Sequence, residues 1–171
     1  MGDRVSTGIR VIDKLLGGGF ERGSSILLRS SPFVDATPIA QEWLYNRLRE
    51  GDRGLYLVNN RPPDVVLEEM RSYGWPIKSY REGGSFVFID AYSGVVGMES
   101  SETFKVKNPM EFGELNSVLS ESLKSAADKA IFLFDSLNIF IDQFGAKGIS
   151  AIKEWNKYSL VKDISSIYIY T

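Results

Sequence analysis

Ser24–Leu44, SSILLRSSPFVDATPIAQEWL, is the stretch from which the fold of this chain is read. Ser25–Arg29 is a short apolar run, the pattern expected of a strand buried on both faces. Ser30–Ala36 has no periodicity and reads as a loop. Thr37-Pro38 then starts a helix: Thr is a good N-cap, and Pro is favoured in the first turn because its missing N–H would be unpaired there. Ile39, Ala40, Trp43, Leu44 and Leu48 follow at helical spacing. Strand, loop, helix is the arrangement in which many proteins hold a phosphate, on a Gly-rich loop ending in Lys-Ser/Thr. This loop has the place for that motif and almost none of its residues.

Outward from this stretch, strands and helices alternate. Ser6–Leu16 is amphipathic, with Ile9, Ile12, Leu15 and Leu16 on one helix face and Gly17-Gly18-Gly19 as its stop, and it reads as a lid over one sheet edge. Leu55–Val58 is a second strand running into Asn59-Asn60-Arg61-Pro62-Pro63. The Pro pair cannot continue a central strand and begins a helix near Asp64, which Gly74 ends. Phe86–Ala91 is a third strand. Tyr92–Lys107 is a long polar stretch with strand character only at Thr103–Val106. Asn108-Pro109 opens a helix, with Glu111 placed to close a capping box on Asn108. Ala130–Phe134 is an apolar strand ending in Asp135-Ser136. Gly145 and Gly148 interrupt the next segment before a further helix around Ile149–Val161, and Ile167–Tyr170 is a last strand. The pattern predicts a three-layer α/β fold, a mainly parallel sheet with helices on both faces. Ligands of such sheets bind beyond the carboxyl ends of the strands, here Ser30–Thr37, Asn59-Asn60 and Asp135-Ser136.

Composition narrows the chemistry. The 171 residues suit one domain, with 43% hydrophobic and 25% charged residues, ordinary for a globular protein. There is no Cys and no His, which removes disulfides, thiolate nucleophiles, Ser-His catalysis and Cys- or His-ligated metals. A net charge of −2 argues against nucleic acid as a partner. No apolar run is long enough for a membrane span, and no signal peptide is visible, so the expected compartment is the cytoplasm. Met1-Gly2 with Ser6 fits the loose N-myristoylation pattern, which a glycine following the start Met satisfies equally well.

Taken together, the segments STGIRVIDKLLGGGFERGSSILL, IAQEWLYNRLREGDRGLYL, PPDVVLEEMRSYGW, FVFIDAYSG, NPMEFGELNSVLSESLK and AIFLFDSLN resemble a KaiC-type member of the RecA-like P-loop ATPases, in order and in spacing. The resemblance covers nearly the whole chain and implies a single RecA-like domain over 1–171. That family usually continues for further strands, so the resemblance implies a domain lacking its usual C-terminal strands. By position, the family's P-loop falls on Ser30–Thr37, including Ser31. The pattern asks for Gly at Ser30 and Asp35, Lys at Ala36 and Ser/Thr at Thr37, and only Thr37 meets it. Asp135 matches the Walker B carboxylate. The paired catalytic glutamates fall on Asn59 and Asn60.

These substitutions imply a lost function. Ser30 and Asp35 cannot turn amides inward as Gly does, Asp35 places negative charge where phosphate would sit, and Ala36 removes the Lys. Pro38 removes an amide. Losing the Lys and one amide and adding repulsion weakens binding by about 5 kcal/mol, on the order of a few thousand-fold. Asn accepts no proton at neutral pH, and a missing general base slows a reaction by about 10²–10⁴. The expectation is a pseudo-ATPase with no catalytic residue, no metal ligand and no cofactor. Ser30, Ser31, Asp35, Ala36, Thr37, Asn59, Asn60 and Asp135 then remain as a vestigial ATP/Mg site. Such a domain works through a protein partner or self-association. The alternatives are a nucleotide binder without efficient hydrolysis, and an active ATPase using substituted residues or groups around Asp90, Tyr92 and Glu99–Glu102. Asp135 reads equally as a strand-end carboxylate bonded to Thr37 or to nearby amides, and Asn59-Asn60 as turn residues before Pro-Pro.

Overall fold

The computed structural model describes residues 3–126 and 129–171. Met1 and Gly2, on which the acylation pattern rests, lie outside them. A short antiparallel ribbon, β1 (Arg4–Val5) with β2 (Phe20–Glu21), brackets helix α1 (Arg10–Leu15). There follow β3 (Ser25–Arg29), α2 (Thr37–Arg49), β4 (Arg53–Val58), α3 (Pro63–Ser72), α4 (Lys78–Glu82), β5 (Phe86–Asp90) and α5 (Tyr92–Val95). The chain continues through β6 (Phe104–Lys105), α6 (Phe112–Ser125), β7 (Ala130–Asp135), α7 (Leu137–Val161) and β8 (Ser165–Tyr170). Among the described residues, β3 to β8 form one parallel sheet in the order β3-β8-β7-β4-β5-β6. This is the three-layer, RecA-like arrangement expected.

Alternation along each strand builds a core on either face of the sheet. Tyr56 and Val58 of β4, with Leu133 and Ile167, pack against Leu44, Val66 and Met70 of α2 and α3. Leu55 and Leu57, with Phe132, Phe134 and Tyr168, pack against Leu119, Phe140 and Trp155 of α6 and α7. From β4 the chain moves on to β5 and β6; from β7 it returns to β8 on the other side. The order therefore reverses between β4 and β7, and a crevice opens beyond their carboxyl ends.

Several local expectations change. β3 is not buried on both faces: it lies at the sheet edge, pairs with β8 alone among the described residues, and leaves Leu27 59% exposed. An apolar run therefore does not distinguish an edge strand from a central one. Thr37 is not the cap of α2 but its first helical residue; Ala36 holds the cap position and has no side-chain cap bond. The capping box on Asn108 is not formed by Glu111, because α6 starts a turn later than expected. Glu114 takes the backbone N–H groups of Lys107 (2.7 Å) and Asn108 (3.1 Å) instead. Gly145 breaks α7 into two helical segments, as expected, with φ 52° and ψ −130° that a side chain would oppose. The long polar stretch is ordered by buried Asp90, which accepts from the Ser93 hydroxyl (2.6 Å), the Ser93 N–H (2.9 Å) and the Ser100 hydroxyl (2.6 Å).

The opening motif folds around one carboxylate. Asp13 accepts from the Ser6 hydroxyl (2.6 Å), the Thr7 N–H (2.7 Å) and hydroxyl (2.9 Å), and the Gly8 N–H (3.1 Å). Asn46 of α2 donates to the Thr7 carbonyl (3.0 Å), and a Cβ at Gly8 would meet that amide at 2.3 Å. Burial pushes the Asp13 carboxyl up, but the four hydrogen bonds prevail and hold it below its ordinary 3.8. A carboxyl depressed in the fold stabilises above its unfolded value and loses that contribution as pH falls through the folded one. The stability gap between the native chain and Asp13→Asn is therefore expected to be full at neutral pH and to close as pH falls below 3.8, read by urea unfolding at several pH values.

Candidate functional site

The carboxyl ends of β3, β4, β7 and β8 surround a cleft of about 420 Å³ lined by, among others, Asp35, Thr37, Asn60, Arg61, Asp135 and Thr171. Its β3 wall is the expected phosphate loop. Ser30 continues the sheet, donating its N–H to the Tyr170 carbonyl (3.0 Å), and its hydroxyl lies 3.3 Å from that of Thr171. Ser31 closes a turn by accepting the Val34 N–H (2.9 Å). Asp35 then folds back, and its carboxylate takes the N–H of Thr37 at 2.9 Å. A helix N-terminus attracts an anion through its free N–H groups and its dipole. Here the chain supplies that anion itself. Ala36 and Thr37 are buried, and no lysine is among the residues lining the cleft.

The opposite wall is built on Asp135, 2% exposed at the end of β7. Its partners are neither Thr37 nor backbone amides. Arg61 donates to one oxygen at 3.0 Å, the Asn60 amide to the other at 3.3 Å, and the Tyr56 hydroxyl makes a longer contact of 3.4 Å. Arg61 also donates to Glu69 of α3 at 2.5 Å, so one guanidinium bridges two carboxylates. Gln41 of α2 donates to Tyr56 (3.3 Å), which places the α2 side of the sheet one hydrogen bond behind the ion pair. Asn59 is spent on the backbone: its oxygen accepts the Ser136 N–H (2.6 Å) and its amide donates to the Ser136 carbonyl (3.1 Å).

Burial is the largest influence on Asp135 and holds its carboxyl above the usual range; Arg61 opposes this and Asp35 adds to it. Burial also works against charge on Arg61, but the adjoining Asp135 carboxylate prevails and keeps the guanidinium firmly protonated. Burial, seconded by the Asp135 charge, holds the Tyr56 hydroxyl well above its ordinary value, so it remains a donor.

Asn60, Asp35, Thr37 and Asp135 thus come together as expected, while Ser30, Ser31 and Asn59 serve the backbone. Arg61, Tyr56, Gln41 and Glu69 escape a reading of the sequence alone. The available signal was Arg61 itself, a cation wedged between an Asn pair and a Pro pair at a buried strand end, where a charge needs a partner. In the Asp90 region, Asp90 accepts from two hydroxyls and an amide, and Glu102 is paired with Arg81 at 2.5 Å.

A family model described as "ATPase: KaiC" matches residues 5–149. The chain belongs to the KaiC family. A UPF0273 protein of Aeropyrum pernix is 33% identical over 132 residues, 77% of this chain and 53% of that protein. One from Methanopyrus kandleri is 29% identical over 142 residues, 82% of this chain and 56% of that one. This KaiC-family chain therefore spans about half the length of the curated relatives it matches. The crystal structure of a KaiC-like protein from Pyrococcus horikoshii superimposes with a TM-score of 0.77, at 23% identity, covering 100% of this chain and 72% of that one. That likeness establishes the fold. Among the described residues no helix is long and apolar enough to cross a membrane.

The family's ligand would be a magnesium-bound nucleotide, and the residues of this cleft do not fit it. Arg61 is paired with Glu69 and Asp135, and Asp35 adds a further carboxylate to the cleft. The α2 N-terminus is already capped by an anion, and the carboxylate that would face a metal is already paired with a cation.

Proposed function

We propose that this chain is a non-hydrolysing KaiC-family domain that works as a regulatory or protein-interaction module. The observation that carries the reading is the pairing of Asp135 with Arg61, reinforced by Asn60 and Tyr56. The charge of a carboxylate so engaged is already balanced by the guanidinium. Asn59 and Asn60 offer amides where a general base would be needed. The direct test is steady-state phosphate release from ATP by the purified chain with Mg²⁺. Release at background level supports the reading, and turnover that disappears in Asp135→Ala overturns it.

The surface around the cleft favours a protein partner or a second copy. Phe33 is 98% exposed, and its neighbour Val34, which lines the cleft, is 57% exposed on the loop that follows β3. Adjacent exposed apolar side chains at the mouth of a cleft favour an interaction surface. Phe33→Ser is expected to reduce self-association or partner capture about ten-fold or more, as for an exposed aromatic anchor, without changing the urea midpoint. Light scattering across a concentration series reads the first and equilibrium unfolding the second.

A further inference from the structure

We propose that Arg61 is the resident counter-ion of the cleft: its guanidinium fills the place of a divalent cation between Asp135 and Glu69, and removing it uncovers a cation site. The inference builds on the non-hydrolysing reading of the same cleft. Arg61 reaches Glu69 at 2.5 Å and Asp135 at 3.0 Å through different nitrogens. The side chains of Arg61, Glu69 and Asp135 are 21%, 20% and 2% exposed, so water does little to satisfy Asp135. Two carboxylates on one guanidinium, one of them buried, depend on its charge. In this fold it is tethered: Arg61 is followed by Pro62-Pro63, which fix the backbone at the start of α3 and aim the side chain back across the cleft.

Without the guanidinium, the remaining oxygen donors are those a hard divalent ion takes: two carboxylates, the Tyr56 hydroxyl and the Asn60 amide oxygen after a flip. With it, an incoming ion must first break both ion pairs. Arg61 thus explains how a KaiC-family cleft keeps the Walker B carboxylate yet turns Mg²⁺ away.

Mn²⁺ is the probe, read by electron paramagnetic resonance on the full chain, with circular dichroism to confirm folding. The native protein is expected to bind no Mn²⁺ in the cleft at millimolar concentrations. Arg61→Met is expected to bind one ion at least about ten-fold more tightly than the native chain, and Arg61→Met with Asp135→Asn to lose it. Should Arg61→Met fail to fold, Arg61→Gln keeps an N–H donor for Asp135 while removing the charge, and is expected to gain Mn²⁺ in the same sense. Native protein that binds Mn²⁺ as tightly as the variants overturns the proposal, as does a folded variant that binds none. ATP turnover by the native chain would instead overturn the non-hydrolysing reading, leaving the Mn²⁺ comparison to decide the role of Arg61.

Discussion

Asp135→Ala is expected to lower the unfolding free energy by about 3–5 kcal/mol, read as a fall in the urea midpoint at constant slope. The magnitude follows from what the substitution leaves behind. Arg61 would keep Glu69 but lose its buried partner, and Tyr56 and Asn60 would lose their acceptor. A carboxylate kept only to meet a metal behaves oppositely: its removal relieves repulsion and leaves the metal-free protein unchanged or more stable. Adding Arg61→Met to Asp135→Ala is expected to recover part of the loss, because an apolar pair leaves no orphaned charge. The double-mutant cycle on these positions reads their coupling directly.

The second large effect is a gain. Asp35→Gly with Ala36→Lys is expected to recover part of the loss of about 5 kcal/mol in ATP binding, on the order of a hundred-fold or more, with Pro38 still withholding its amide. The exchange frees the Thr37 N–H that Asp35 now occupies, removes its negative charge, and adds a lysine to a cleft that lacks one. Calorimetry or a nucleotide-dependent thermal shift would measure it. Turnover is expected to stay at background in this variant, since Asn59 and Asn60 still offer no base; substituting both with Glu adds about 10²–10⁴ in rate only if the new carboxylates reach a water. Asn59→Glu also removes the amide that donates to the Ser136 carbonyl, so a loss of stability is expected beside any gain in rate.

The architecture was legible because its signals are local and repeated. Apolar runs such as Leu55–Val58 and Ala130–Phe134 specify buried strands, and the helical stripes between them require crossovers, hence a parallel sheet. The place of β3 was not legible, since its apolar residues look the same at an edge as at the centre. Positions on the strand ends were also readable: Asp35, Thr37, Asn60 and Asp135 do meet in one cleft. Their partners were not. Arg61 is 74 residues from Asp135 in sequence and joins it only because β4 and β7 are neighbours in the sheet. Asp35 does carry a sign, since an Asp before a helix start commonly turns back onto the amide two residues on, but the sequence does not show that this bond fills the place of a phosphate. A motif shows which groups are present; the fold decides which of them are already engaged.

Titration of the purified chain with ATP and Mg²⁺ by isothermal calorimetry tests the cleft most directly. Heat no greater than dilution through the millimolar range is the expected result. Saturable binding at micromolar concentration, weakened by changing Thr37 or Asp135, would contradict it.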